Sequence, residues 1–285
     1  MKTLKSIIFV GLFASTINQT FALNFVSLEE AVKKGFINLI IKSKGGYLGE
    51  VIEMKVKNNS NRSLDFRLET GRKLDSKNNN EQDILVTKPE EFSLCSNQTK
   101  TIKVTGMCCQ AHNLCPHENA DYSIGRMADS NLIMLATFID KNKYYANFSA
   151  QQAVWVVSDN NSLGSITDGN RTVVETLRRY VSKLTGKKIP PYEVSYVRNS
   201  EREVQGSART IDGTFDYALP VNAHVTIGIY DENGVLVQVL FQNIEHQRGN
   251  YKLYFTFRTL NLPSGVYYAK MKTNGSVGKE MKIEF

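Results

Sequence analysis

The stretch VTIGIYDENGVLVQVL, residues 225–240, decides the fold class. Val225, Ile227 and Ile229 recur at every second position, the period of a strand with one buried face. Asp231-Glu-Asn-Gly234 then interrupts the pattern, and the apolar run resumes at Val235. Gly234 takes a positive φ without steric cost, so a tight hairpin is expected there.

Outward from this hairpin the same pattern repeats. Residues 207–211, 214–218, 223–230, 236–242, 250–256, 265–273 and 278–285 read as strands. Seven short strands over residues 206–285 predict an immunoglobulin-like antiparallel sandwich. Upstream, residues 36–42, 50–57, 64–69, 84–87 and 101–106 also read as strands. Gly45-Gly46, residues 58–61 and residues 75–80 supply turns between them. They predict a second antiparallel sandwich over residues 23–165. The fold class expected is therefore mainly β: two immunoglobulin-like sandwiches, the first with helical additions.

The helical additions have their own signals. Ser27 precedes an apolar-periodic run, Glu30 sits three residues on, and Gly35 follows, which predicts a short capped helix. Residues 129–140 carry Leu132, Leu135, Ala136 and Ile139 at helical spacing. Residues 148–157 hold the only tryptophan, Trp155. Residues 172–185 place Val173, Leu177, Tyr180, Val181 and Leu184 on one face, and Gly186 then Pro190-Pro191 end the helix. Residues 166–205 read as this helix followed by a polar linker.

The first residues, MKTLKSIIFVGLFASTINQTFA, run from basic (Lys2, Lys5) through an apolar core (residues 7–13) to small residues around Ala22. This order predicts a signal peptide over residues 1–22. The apolar core is shorter than the about 20 residues of a membrane span. Export through the periplasm, by way of the Sec translocon, is the expected route. The net charge of +7 is spread along the chain, with no basic stripe interleaved with aromatics, so nucleic acid is not an expected partner.

The 225–240 stretch together with GNYKLYFTFRTLNLPSGVYYAKMKTNGSVGKEMKIEF, residues 249–285, resembles the C-terminal sorting domain of type IX secretion cargo in Bacteroidetes. The matching residues are Tyr230 and Asp231 before the Gly234 turn, then Leu262, Pro263, Gly265 and Tyr267, and a strand running to the last residue. The resemblance covers residues 206–285. It implies an immunoglobulin-like module recognised by the type IX secretion machinery, with delivery to the medium or the outer cell surface.

The chain has four cysteines: Cys95, Cys108, Cys109 and Cys115. In an oxidising compartment they are expected to form two disulfides. Cys108 and Cys109 are adjacent, so on a strand they point to opposite faces. One is expected to pair with Cys95 and the other with Cys115; the connectivity stays open. Zinc held by Cys109, His112, Cys115 and His117 is an alternative whose spacing matches no common finger. A Cys109–His112 catalytic thiol lacks an orienting partner. Gln151-Gln-Ala-Val-Trp155 resembles the glutamine motif of surface thioester domains, which implies a Cys–Gln thioester with an unidentified cysteine.

Asp75, Glu81, Asp83 and Asp129 are read as solvated loop acids, and none is paired as acid and base. Residues 159–162 and 167–170 read as plain turns. No metal or cofactor is expected. The sequence thus points to an exported, non-catalytic protein whose N-terminal part meets an unknown surface ligand. The alternatives are an adhesin or glycan-binding module, with or without a thioester, and a secreted hydrolase.

Overall fold

The computed structural model describes residues 25–167, 170–197 and 207–285. The expected signal peptide lies outside the described residues, as do parts of the 167–170 turn and of the linker. The elements in order are β1 (Val26–Ser27), α1 (Leu28–Lys33), β2 (Ile37–Lys44), β3 (Leu48–Asn58), β4 (Leu64–Leu68), β5 (Arg72–Ser76), β6 (Ile84–Val86), β7 (Glu90–Leu94), β8 (Thr99–Cys108) and β9 (Glu118–Met127). Then come α2 (Ser130–Asn142), α3 (Phe148–Ser158), a 3-10 turn (Leu163–Ser165) and α4 (Arg171–Thr185). The remainder is β10 (Tyr192–Tyr196), β11 (Ala208–Leu219), β12 (Ala223–Asp231), β13 (Leu236–His246), β14 (Gly249–Arg258), β15 (Val266–Thr273) and β16 (Ser276–Glu284). The protein is mainly β with several antiparallel sheets.

The N-terminal strands do not form two open sheets. β2, β3, β8, β6, β5 and β9 join in that order into a closed barrel, with a small sheet β1-β4-β7 beside it. The expectation of a sandwich is corrected by β9, which returns to β2 through the Ile41–Tyr122 and Lys42–Asp121 pairs. Closure leaves no unpaired edge. On β3, Ile52, Met54 and Val56 face inward while Glu53, Lys55 and Lys57 face solvent. Val51 is buried too, because a bulge between Glu50 and Ile52 shifts the register and bends the strand. β5, β7 and β9 are invisible to the alternation rule because their inner faces carry few large apolar residues: Arg72 and Leu74 on β5, Phe92 and Leu94 on β7, Ala120, Tyr122 and Gly125 on β9.

α1 forms as expected: the Ser27 Oγ accepts from the Glu30 amide at 3.1 Å. Leu28 and Ala31 join the barrel core with Phe66, Phe92 and Trp155. α2 starts at Asp129, whose carboxylate accepts from the Asn131 and Leu132 amides at 2.9 and 3.1 Å. α3 is buried on all sides from Ser149 to Val156, as a helix between barrel and helices must be. α4 ends at Gly186, φ 74°. These helices cover the outer wall of β6 and β8, where Leu85, Met107 and Cys109 meet Leu135, Val154 and Leu177 in a second core.

The C-terminal strands make two antiparallel sheets, β10-β11-β14 and β13-β12-β15-β16. Val194, Ile211, Phe215 and Phe257 from the first meet Val225, Ile227, Ala269 and Ile283 from the second in one core. Part of the expected linker is structured: β10 pairs with β11 from Tyr192–Gly213 to Tyr196–Ala208. The two strands expected at 207–211 and 214–218 are one, β11. Gly213 does not turn the chain; a Cβ there would sit 2.8 Å from the Tyr192 Cβ and 3.0 Å from the Phe255 ring, so its role is close approach. The opening hairpin is as expected: Gly234 has φ 80°, and the Val235 amide donates to the Asp231 carboxylate at 2.8 Å.

Candidate functional site

The cysteines do not gather. Cys95 is exposed in the turn between β7 and β8. Cys108 and Cys109 lie at the far end of β8, a strand of 10 residues. At about 3.3 Å per residue that is about 30 Å away, beyond any disulfide. The expected pairing of Cys95 with Cys108 or Cys109 is therefore corrected: a hairpin strand separates them. No disulfide joins any of the four in the structure. Cys108 belongs to the barrel core and Cys109 to the helical core, so the adjacent pair does face opposite ways.

Cys108 is the centre of a buried polar cluster. The Gln151 carboxamide, carried by the first turn of α3, lies along its backbone. Its Oε1 accepts from the Cys108 amide at 2.9 Å, and its Nε2 donates to the Cys108 carbonyl at 2.8 Å. β6 begins at Ile84, which pairs with Cys108, the last residue of β8. Gln151 adds a side-chain pair at this strand end, sharing the Cys108 amide with the Tyr47 carbonyl at 3.1 Å. This is the residue that the thioester-like motif singles out, and Cys108 is the cysteine beside it.

Gln82, fully buried, is the hub of the same cluster. Its Oε1 accepts from the Trp155 indole at 3.1 Å, and its Nε2 donates to the Asn113 carbonyl at 3.1 Å. Its backbone carbonyl accepts from the Tyr122 hydroxyl at 2.7 Å, and its amide donates to the Leu114 carbonyl at 3.1 Å. One side chain and its backbone thus tie together α3, β9 and the loop after β8. The sequence reading passed over Gln82, because a glutamine between two acids carries no pattern of its own.

Two of the four loop acids, Glu81 and Asp83, are not solvated, which corrects the expectation for them; Asp75 is half-buried and Asp129 is exposed. Glu81 is buried and its carboxylate meets His117 Nδ1 at 2.6 Å. Asp83 accepts from Lys73 at 2.9 Å, from the Gln110 amide group at 2.6 Å and from the Ser76 amide at 3.0 Å. Asp75, lining the same groove with Lys73 and Arg126, is pushed up from its ordinary value by burial and then by the neighbouring Asp83. Asp129 is the helix cap already described. Buried Arg72 is held by Glu69 and Glu29.

Burial also holds the thiols neutral. The Cys109 thiol is pushed up to about 12, and Cys108 rises as well, chiefly from burial. Neither is a ready nucleophile. Among the described residues no group of three or more His, Cys, Asp or Glu side chains is placed to hold a metal ion.

The sorting-like residues, in contrast, converge on one end of the second C-terminal sheet. Asp231 pairs with Tyr267, and Tyr267 pairs with Ile283. The Tyr267 hydroxyl donates to the Pro263 carbonyl at 2.9 Å. Gly265 and Phe285 exchange backbone bonds at 3.0 and 3.3 Å. Tyr230 and Tyr267 are buried, and Leu262 packs against the core. Next to this end lies a cleft of about 930 Å³ lined by Ser264, Gly265, Lys282, Tyr192 and Lys187.

Compared with known proteins, the chain matches no family model and no curated protein. No helix among the described residues is long and apolar enough to cross a membrane.

Proposed function

We propose that this is an exported, non-catalytic protein. The C-terminal sheets serve as an immunoglobulin-like sorting domain for type IX secretion, and the barrel with its helices is the delivered part. One observation carries the reading. The residues of the sorting resemblance, quoted from three separate stretches, come together at one sheet end through Asp231–Tyr267, Tyr267–Pro263 and Gly265–Phe285. A secretion machine that reads a folded module needs such a composite surface. In the barrel, the strongest charged groups are occupied with each other, as in Arg72 with Glu69 and Glu29, and Lys73 with Asp83. That arrangement suits a display scaffold better than acid–base chemistry.

The test is a transplant. Residues 188–285 fused to a periplasmic reporter are expected to bring it to the cell surface in a strain with type IX secretion. A folded fusion that stays in the periplasm overturns the reading. Silence of the full protein across a peptidase and glycosidase panel is expected as well.

The Gln151–Cys108 contact favours a second reading, a surface adhesin with a Cys–Gln thioester. The Cys108 Sγ would bond to the Gln151 Cδ, the Cδ–Nε2 bond would break, and the thiol proton would leave with ammonia. The intact protein would then be lighter by one ammonia and would take up methylamine. An unchanged mass retires this reading without touching the first.

A further inference from the structure

Gln151 meets the Cys108 backbone, and the Cys108 side chain has a neighbour of its own. The Cys108 and Cys115 side chains are within hydrogen-bond contact. The backbone places them there independently. Ile84 pairs with Cys108, and two residues earlier the Gln82 amide donates to the Leu114 carbonyl at 3.1 Å. Glu81 also forms a parallel bridge with Leu114. The loop after β8 therefore folds back alongside the strand leading into β6, and Cys115 arrives beside Cys108. Both belong to the barrel core, whereas Cys109 belongs to the helical core.

We propose that Cys108 and Cys115 form a single intramolecular disulfide that staples the loop after β8 to the barrel, while Cys95 and Cys109 stay thiols. This goes beyond the export reading and does not need it. It competes with the thioester for the same sulfur.

Access is by the loop rather than the strand. His112 and Leu114 on the loop are exposed, as is the side chain of His117. Cys115 is 6% exposed, but Cys108 is fully buried. Local opening of the loop presents Cys115 first. Its thiolate attacks a small-molecule or protein disulfide, releasing one thiol and leaving a mixed disulfide on Cys115. While the loop is open and the Cys108 thiol is hydrated, it loses its proton to water, attacks the Cys115 sulfur and displaces the second thiol. The donor disulfide is reduced by two electrons. Its two sulfurs carry off the two protons, and the new Cys108 Sγ–Cys115 Sγ bond is the only one gained by the protein. The link closes over Cys109–Leu114, the loop whose Asn113 and Leu114 carbonyls accept from Gln82.

The experiment oxidises the full purified chain, first reduced, with oxidised glutathione. It then reads intact mass, a non-reducing peptide map and alkylation before and after unfolding. The expected result is a loss of two hydrogens and one cross-linked peptide pair joining Cys108 to Cys115. Cys95 alkylates in the folded protein and Cys109 only after unfolding. Cys109→Ser keeps the link and Cys115→Ser loses it. The oxidised form is expected to melt at a higher temperature than the reduced form. A link through Cys95 or Cys109 overturns the proposal, as do four alkylatable cysteines after oxidation. Loss of one ammonia with Cys108 blocked also overturns it and supports the thioester instead. Because the map is made on the unmutated chain, a variant that fails to fold does not obscure the outcome.

Discussion

Gln151 pairs with Cys108 as a neighbouring strand would, accepting from its amide at 2.9 Å and donating to its carbonyl at 2.8 Å. The buried Cys108 carbonyl therefore depends on this side chain, whereas the amide is shared with the Tyr47 carbonyl at 3.1 Å. Gln151→Leu leaves the carbonyl without its donor in a dry core, at about 1–3 kcal/mol, while the amide keeps the Tyr47 carbonyl. We expect Gln151→Leu to lose about 1–3 kcal/mol by urea unfolding. Gln152 is different: it bonds the Thr167 amide at 2.6 Å, nearer the surface. Gln152→Leu is expected to cost less, and a larger loss at Gln152 would refute the assignment of the central role to Gln151.

Tyr192 ties the expected linker to the final strand. The Glu284 amide donates to its hydroxyl at 2.9 Å, and its ring lies in the C-terminal core. A fragment of residues 207–285 therefore lacks an edge strand and a core aromatic. We expect residues 188–285 to unfold cooperatively at a clearly higher denaturant concentration than residues 207–285. Tyr192→Phe in the longer fragment is expected to cost about 1 kcal/mol, the value of one hydrogen bond. Equal stability of the two fragments would show β10 to be dispensable.

Much of this architecture was legible in the sequence, and the misses share a cause. β3, β12 and β15 alternate cleanly because one face is dry and the other wet. β9 carries Ala120, Tyr122 and Ile124 inward among small and polar neighbours, so its period is too faint to read, and with it went the barrel closure. The break expected between residues 211 and 214 is absent, and Gly213 instead marks a close approach to Tyr192 and Phe255. At the candidate site, the Gln151 motif was visible but its cysteine was not. The contact joins residues 43 positions apart, a separation that local pattern does not encode. Gln82 was missed for the same reason.

Gly106 tests how tightly the barrel closes. A Cβ at this position would sit 2.4 Å from the Ile84 Cγ2 and 2.8 Å from the Leu85 carbonyl. One neighbour is backbone and cannot swing away. Gly106→Ala is expected to force β6 and β8 apart and cost about 1–3 kcal/mol. Gly35→Ala is the control for backbone strain alone: its φ is 70° but nothing lies within 4 Å of the added carbon. A Gly106→Ala protein with wild-type melting would mean that β6 is not held against β8 as described.

Two carboxylates are expected to move stability in opposite senses with pH. Hydrogen bonds from Lys33 and then Arg72 hold Glu29 below the ordinary glutamate value of 4.5. The unfolded chain binds that proton more readily, so the contribution of Glu29 is present above about pH 5 and is lost as pH falls through the folded value. Asp159, at the end of α3, is held above its ordinary 3.8 by burial. Here the folded chain binds the proton more readily, so stability is present in acid and declines as pH rises through the folded value. Glu29→Gln is therefore expected to lower the urea midpoint at pH 7 and to converge with the parent in acid. Asp159→Asn, which keeps an oxygen to accept from Ser158 Oγ at the place of the present 2.6 Å bond, is expected to raise it at pH 7 and also converge in acid. Midpoints measured from pH 3 to pH 8 decide the point: parallel pH curves for the parent and either variant would show that its charge is not linked to folding.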